Sequence, residues 1–286
     1  SSTSDFPEIL AGTVNRTLRA AYLQQSRTFT AWARQTTAPD FRQVARTQLS
    51  ESSAFKKIGE GGEYKALHFG DGAEKYALSK FGGIVAITWE SIVNDDLGAF
   101  DRIPVSLAAE AAALEGDIVY GLLTGAHKMS DGKTLFHADH GNLAAAAAID
   151  ETALGEARAA MRKQKGMKGR VLNLTPSFLI VGPDNETLAN KYTSASFVAA
   201  KAGDVNPNFN TSLEVVTEAR IEGAQWFMSA APDMVDTIEY AYLEGEEGLY
   251  TEQRQGFEVD GLQIKARHAF AAAPIDWRGL WKNPGA

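Results

Sequence analysis

The residues best equipped for chemistry are His127, His137, Asp139 and His140, in the stretch HKMSDGKTLFHADH. Imidazole nitrogens and carboxylate oxygens are metal ligands and proton carriers. A metal-dependent hydrolase would use His137, Asp139 and His140 together. The spacing differs from the helical H-E-x-x-H pair, in which two imidazoles one turn apart face the same ion. There is no cysteine anywhere in the chain to complete a thiolate site. The competing reading is a polar turn in which each side chain is satisfied locally.

Other patterns are weaker. Glu244, Glu246 and Glu247 form an acidic turn that reads as a solvated loop. Lys163, Lys165, Lys168 and Arg170 alternate with Gly166 and Gly169. This small basic loop could touch phosphates or an acidic neighbour, or face water. No G-x-S-x-G or G-x-x-x-x-G-K-[ST] motif occurs, so neither a nucleophile elbow nor a phosphate cradle is encoded. Gly59, Gly61 and Gly62 precede a strand pattern rather than a helix. With no catalytic constellation, the chain reads as a non-enzyme without a cofactor.

The composition narrows the class. The 286 residues are 44% hydrophobic and 22% charged, with a formal net charge of −8. That is ordinary globular material, enough for one large or two smaller domains. The acidic balance argues against a general nucleic-acid binder but leaves room for a local basic patch. No apolar run approaches the roughly 18 residues of a membrane span. Residues 1–10 lack the basic start and apolar core of a signal peptide. The chain starts at Ser1 without an initiator Met, which leaves trimming, a preceding segment and proteolytic maturation open.

The histidine strip must be positioned by what precedes it. Residues 104–124 are rich in Ala, Leu and Glu, the best helix formers. Pro104 suits a first turn, and Gly125 suits a stop. Val105, Ala108, Ala112, Ile118 and Leu122 can share one face, with Glu110, Asp117 and Tyr120 turned away. Residues 1–50 are polar, with Phe6, Tyr22, Phe29, Trp32 and Phe41 too scattered for a local core. A helix is expected over about 15–30, because Leu10, Val14, Leu18 and Tyr22 recur four apart. The rest reads as an arm lying on another part of the protein or on a neighbour. Residues 63–69 and 73–81 read as a two-sided hairpin around the turn signal Gly70, Asp71 and Gly72. A lone hairpin is marginal in water, so it points to a contact between molecules. The run IVAITW (84–89) reads as a buried strand. A helix over 151–165, a strand over 178–181 and a helix capped by Asp184 follow. Strands over 213–218, 224–230 and 238–243 follow, and strands over 250–254, 256–259 and 262–269 close the chain.

Three segments carry a resemblance: VYGLLTGAHKMSDGKTLFHADHGNL, LTPSFLIVGPDNETLANK and LQIKARHAFAAAPIDWRGLWKNPG. With the order arm, hairpin, long helix, α/β region, they resemble the major capsid proteins of tailed bacteriophages, and specifically Mu-like head subunits, often found as prohead protease–capsid fusions. The resemblance implies an α+β chain of the Hong Kong 97-type fold. It would have an N-terminal arm (1–58), an extended β-hairpin loop (59–89), a peripheral domain with a spine helix (90–142 and 236–286), and an axial domain (143–235). It implies self-assembly into pentamers and hexamers of an icosahedral head. That head would enclose double-stranded DNA held non-specifically, in a virion built in the host bacterial cytoplasm. Decoration, portal and scaffolding proteins are the further partners it suggests, and maturation proteolysis would generate the N-terminus. Candidate contacts between subunits are Tyr64, Lys65, Leu67, Tyr76, Leu78 and Lys80 in the hairpin, and Phe29 and Trp32 in the arm. An encapsulin-like compartment resembles the same fold and is the principal rival.

Overall fold

The computed structural model describes residues 5–48, 55–67, 73–94, 97–194, 209–256 and 260–286. The chain opens with helix α1 (Asp5–Gln24), then strands β1 (Arg34–Ala38) and β2 (Val44–Thr47). After the segment 55–67 come β3 (Ala73–Tyr76), β4 (Ser79–Thr88), the short α2 (Trp89–Val93) and the long α3 (Leu97–Thr124). The middle of the chain holds α4 (Glu151–Lys163), β5 (Pro176–Val181), α5 (Glu186–Thr193), α6 (Phe209–Ser212), β6 (Glu214–Thr217) and β7 (Trp226–Ala230). It closes with β8 (Ile238–Leu243), β9 (Leu249–Gly256), β10 (Gly261–Pro274) and β11 (Leu280–Asn283).

Two sheets organise these elements. The first runs β1-β8-β10-β4, with β9 also paired to β10. Only β1 and β8 are parallel; the other pairs are antiparallel. The second runs β11-β7-β5-β6, with β5 and β6 parallel. The C-terminal strand therefore returns to the second sheet, which a division of the chain at 235/236 does not anticipate. A core of Phe29, Trp32, Val119, Tyr120, Leu123, Phe227 and Phe270 lies between α3 and the sheets. A second core forms where Leu154, Ala157 and Met161 of α4 meet Leu179, Trp226 and Met228. The α/β middle is entered through a helix cap: Asp150 accepts the Ala153 N–H at 2.7 Å, at the start of α4.

Helix α3 is 28 residues long, about 42 Å at 1.5 Å per residue. It begins seven residues before Pro104, which sits inside the helix rather than in its first turn. The missing N–H costs one backbone bond there, and tertiary packing of the flanking Ile103 and Leu107 outweighs it. The buried stripe is Ala108, Ala111, Ala112, Glu115, Val119, Tyr120 and Leu123. Tyr120 is thus inside, and Val105 is exposed, the reverse of the expected assignment. The small alanines let α1 approach closely: Leu18, Ala21 and Tyr22 pack on Ala108 and Ala111.

Several other expectations are corrected. The N-terminal helix ends at Gln24, earlier than expected, although Val14, Leu18 and Tyr22 do form its buried stripe. The following chain belongs to the subunit's own body, because β1 completes the first sheet beside β8. Residues 62–67 carry no strand, so they do not pair with 73–81; residues 68–72 lie outside the described residues. The expected second strand is broken at Ala77 and Leu78. Its first part pairs with β2 and its second with β10. Residues 84–89 are not a buried strand: among the described residues β4 pairs with β10 alone, Ile84 is 62% exposed, and Trp89, which opens α2, is 52% exposed. Asp184 lies within a short 3-10 turn ahead of α5 rather than capping it.

Candidate functional site

The histidine strip is a closed turn. His140 is buried and stacked on Trp277, with ring centroids 4.2 Å apart. Its Nε2 is 2.6 Å from Asp131 Oδ2, and its Nδ1 is 3.1 Å from the Leu135 carbonyl. His137 Nδ1 accepts the Asp139 backbone N–H at 3.0 Å, and Asp139 pairs with Lys133 at 3.2 Å. That neighbouring ammonium holds the Asp139 carboxyl below its ordinary value. Partial burial lowers the His127 imidazole. The His137 and His140 rings are thus committed to local partners. Among the described residues, no group of three or more His, Asp and Glu is placed to hold a metal, so the hydrolase reading has no geometry to rest on. Gly141, at φ 64°, ends the turn in the left-handed conformation that glycine adopts without strain.

The most heavily functionalised interior point is Glu115, a fully buried carboxylate on α3. Tyr22 from α1 donates its hydroxyl to Glu115 Oε2 at 2.6 Å. Tyr242 from β8 donates to Oε1. Arg27, in the loop after α1, reaches Oε1 at 3.3 Å and both tyrosine hydroxyls at 2.9 Å. His268 of β10 turns Nε2 towards Oε2 at 3.4 Å while its Nδ1 donates to the Gly248 carbonyl. Burial pushes the Glu115 carboxyl up, but contacts from His268, Tyr22 and Tyr242 outweigh it and the net shift is downward. The tyrosine hydroxyls move the other way: burial and the adjacent carboxylate hold Tyr22 and Tyr242 above the usual phenol range. Burial with three hydrogen-bond donors, Tyr22, Arg27 and Tyr242, from three parts of the chain is what a stable buried charge requires. The cluster ties α1 to α3 and to the first sheet. Its sequence signal was the face of α3: Glu115 falls one turn from Ala111, Ala112 and Val119, on the apolar stripe.

The candidate contact residues divide into two groups. Phe29 and Trp32 are fully buried in the subunit's own core. Trp32 donates its indole N–H to Tyr120 at 3.2 Å, and its ring meets that of Tyr120 edge-on. Tyr76 and Leu78 are also buried, Tyr76 donating its hydroxyl to Glu239. These four face inward, because β1 and β3 bring the arm onto the first sheet. Tyr64, Lys65, Leu67 and Lys80 remain at the surface. Tyr64 is 84% exposed and Phe55 is 87% exposed. They lie on a segment, 55–67, that contains no helix or strand and whose residues are all exposed. The outer face of β4 and α2 adds Ile84, Trp89 and Val93.

A family model described as "Phage capsid protein" matches residues 72–283. No curated protein matches the chain. Among solved structures, the procapsid of bacteriophage JBD30 superposes with a TM-score of 0.54 at 13% identity, over 99% of this chain and 76% of that one. A phage-related protein of Bordetella bronchiseptica RB50 gives a TM-score of 0.57 at 10% identity, over 94% and 96%. A virus-like particle from Pyrococcus furiosus gives 0.50 at 9% identity, over 96% and 98%. At these identities the likeness is one of fold.

Proposed function

The chain belongs to the phage capsid protein family, and on that premise we propose that it is the major head subunit of a tailed bacteriophage. Copies of it close into an icosahedral shell around double-stranded DNA, and it is a component of the virion. The family match over most of the chain carries this reading. The Hong Kong 97-type arrangement, with its long helix α3 and two sheets, supports it.

The surface supports the same reading. A shell subunit must make repeated heterologous contacts with its own copies. Large apolar groups held in water over a stretch without regular structure mark a surface awaiting a partner. The segment 55–67, with Phe55, Ile58, Tyr64 and Leu67 exposed, has that character. We therefore assign Tyr64, Lys65, Leu67 and Lys80 to contacts between subunits. The division into arm (1–58), extended loop (59–89), peripheral domain (90–142 and 236–286) and axial domain (143–235) belongs to this proposal, with β11 returning to the axial sheet. Pentamers and hexamers of this chain are its primary partners; decoration, portal and scaffolding proteins are secondary ones.

Electron microscopy of the purified full-length chain under assembly conditions tests the proposal. Closed shells of uniform diameter are expected. A chain that stays monomeric or forms only small oligomers, alone and from native particles, overturns it. Particles that enclose protein cargo and no DNA would transfer the chain to the encapsulin-like reading.

A further inference from the structure

The chain leaves strand β2 through Gln48 and returns to β3 at Ala73, and segment 55–67 lies on the excursion between them. Strands β2 and β3 form its base, with Val44 opposite Tyr76 and Thr47 opposite Ala73. A lone two-stranded ribbon is marginal in water, so this one must be fastened to something. Alternation puts Val44, Arg46, Gln48, Glu74 and Tyr76 on its inner face, while Ala45, Thr47 and Lys75 are exposed.

The two ends of that inner face are held differently. Val44 and Tyr76 join an apolar cluster with Ala38, Ala241 and Ala271. The end nearer the excursion is held by polar groups. Glu74 is a buried carboxylate. Its Oε1 and Oε2 accept the backbone N–H of Ser130, in the histidine strip, at 2.9 and 3.1 Å. Gln48, also buried, donates Nε2 to Glu74 Oε1 at 3.4 Å, and its Oε1 accepts from Arg278 at 3.3 Å. Arg278 is itself fixed by Asp276 Oδ1 at 3.1 Å and by the Lys165 carbonyl at 2.9 Å. One step back along the ribbon, Arg46 donates to both carboxylate oxygens of Glu239, at 3.0 and 3.3 Å.

Apolar contact is non-directional, whereas hydrogen bonds fix distance and angle. Buried polar pairs also add little net stability over apolar groups of the same shape. What they supply at this end of the ribbon is direction. We propose that Glu74 and Gln48 are positioning residues for assembly: latched to each other, to Ser130 and to Arg278, they aim segment 55–67 at a neighbouring copy. A segment already held in its bound direction loses less conformational freedom on docking. The proposal rests on the reading of 55–67 as a contact between subunits. The aim itself is measured on the unassembled subunit, so its failure is distinguishable from a failure to form shells.

The chain has no cysteine, so Lys57→Cys and Glu156→Cys, both at exposed positions, give a unique pair of spin labels. Pulsed electron–electron double resonance of the unassembled full-length chain should show one narrow distance population. The double variant Gln48→Ala with Glu74→Ala should lose it to a broad distribution. That variant should keep a single cooperative melting transition and need a higher subunit concentration to form shells. Gln48→Ala alone leaves the Ser130 contact in place; it should broaden the distribution in the same direction, and it decides the matter if the double variant does not fold. Glu115→Gln, which weakens a different buried cluster, should keep the narrow population. A broad distribution in the wild type overturns the proposal, as does a narrow one in the latch variants. Equal broadening in Glu115→Gln overturns it too, by reducing the latch to general stability. Latch variants that broaden yet close shells at the wild-type concentration also overturn it, because the aim then plays no part in assembly.

Discussion

Replacing Glu115 by Ala should loosen the N-terminal helix from the body of the subunit. The carboxylate accepts two phenol hydroxyls and faces the Arg27 guanidinium and the His268 imidazole, all in the interior. Hydrogen bonds to a charged group contribute about 1.5–3 kcal/mol each. Breaking a buried pair by removing one partner costs about 3–5 kcal/mol, because the other charge is left unpaired. About 4 kcal/mol is therefore expected for Glu115→Ala, a large share of a stability of roughly 5–15 kcal/mol. For a chain of this size that lowers the melting temperature by about 7 °C. Calorimetry of the unassembled subunit measures the drop, and hydrogen exchange should show α1 losing protection before β10. Glu115→Gln retains the shape and should cost about half as much. The sign of the pH dependence follows from the lowered carboxyl. Its contribution is fully present above the ordinary carboxylate value of about 4.3 and is lost as pH falls through the lower folded value. The gap between wild type and Glu115→Gln should close below about pH 4. An Ala variant that melts within a degree of the wild type, or a Gln gap constant from pH 3 to 7, refutes the reasoning.

Two further outcomes follow from where the aromatics lie. Trp32→Ala removes a fully buried ring and the donor to Tyr120, and should cost about 3–5 kcal/mol, seen in calorimetry as a subunit defect that precedes any assembly defect. Deleting residues 56–66 removes only exposed chain, so the melting temperature should hold within about 2 °C while electron microscopy finds no shells; a deletion variant that still closes shells would remove this segment from the interface.

Legibility in the sequence tracked how local each signal was. Helix α4, the strand Ile238–Leu243 and the long helix were readable because capping, propensity and alternation act within a few residues. The face of α3 was misjudged because a heptad-like wheel cannot tell which of two apolar arcs meets the larger body. Tyr120 is drawn inside by Trp32 and Thr28, some ninety positions away. The 63–81 hairpin was inferred from a turn signal, yet β3 and β4 each find better partners far along the chain, in β2 and β10. Long-range pairing of that kind leaves no local trace. The metal-like histidine strip failed in the opposite direction. Its residue types suggested a site, but His140, His137 and Asp139 meet Asp131, Leu135, Lys133 and their own backbone first.

The arm residues carry the functional point. Phe29 and Trp32 were expected at a neighbour, and the fold draws them in through β1, the Thr28–Ala31 turn and the Glu115 cluster. A subunit that secures its own aromatics in this way is stable before it assembles. On the proposed function, the contacts left for its copies are the exposed ones: segment 55–67, which has no helix or strand, Lys80, and the exposed Ile84 of β4 and Trp89 of α2. Such contacts can be individually modest, because a closed shell repeats each of them many times. An error in one placement then costs little to undo, whereas a subunit whose core depended on its neighbours could not release and rebind. The division between a self-sufficient interior and an exposed, coreless strip is thus what correction during shell closure requires.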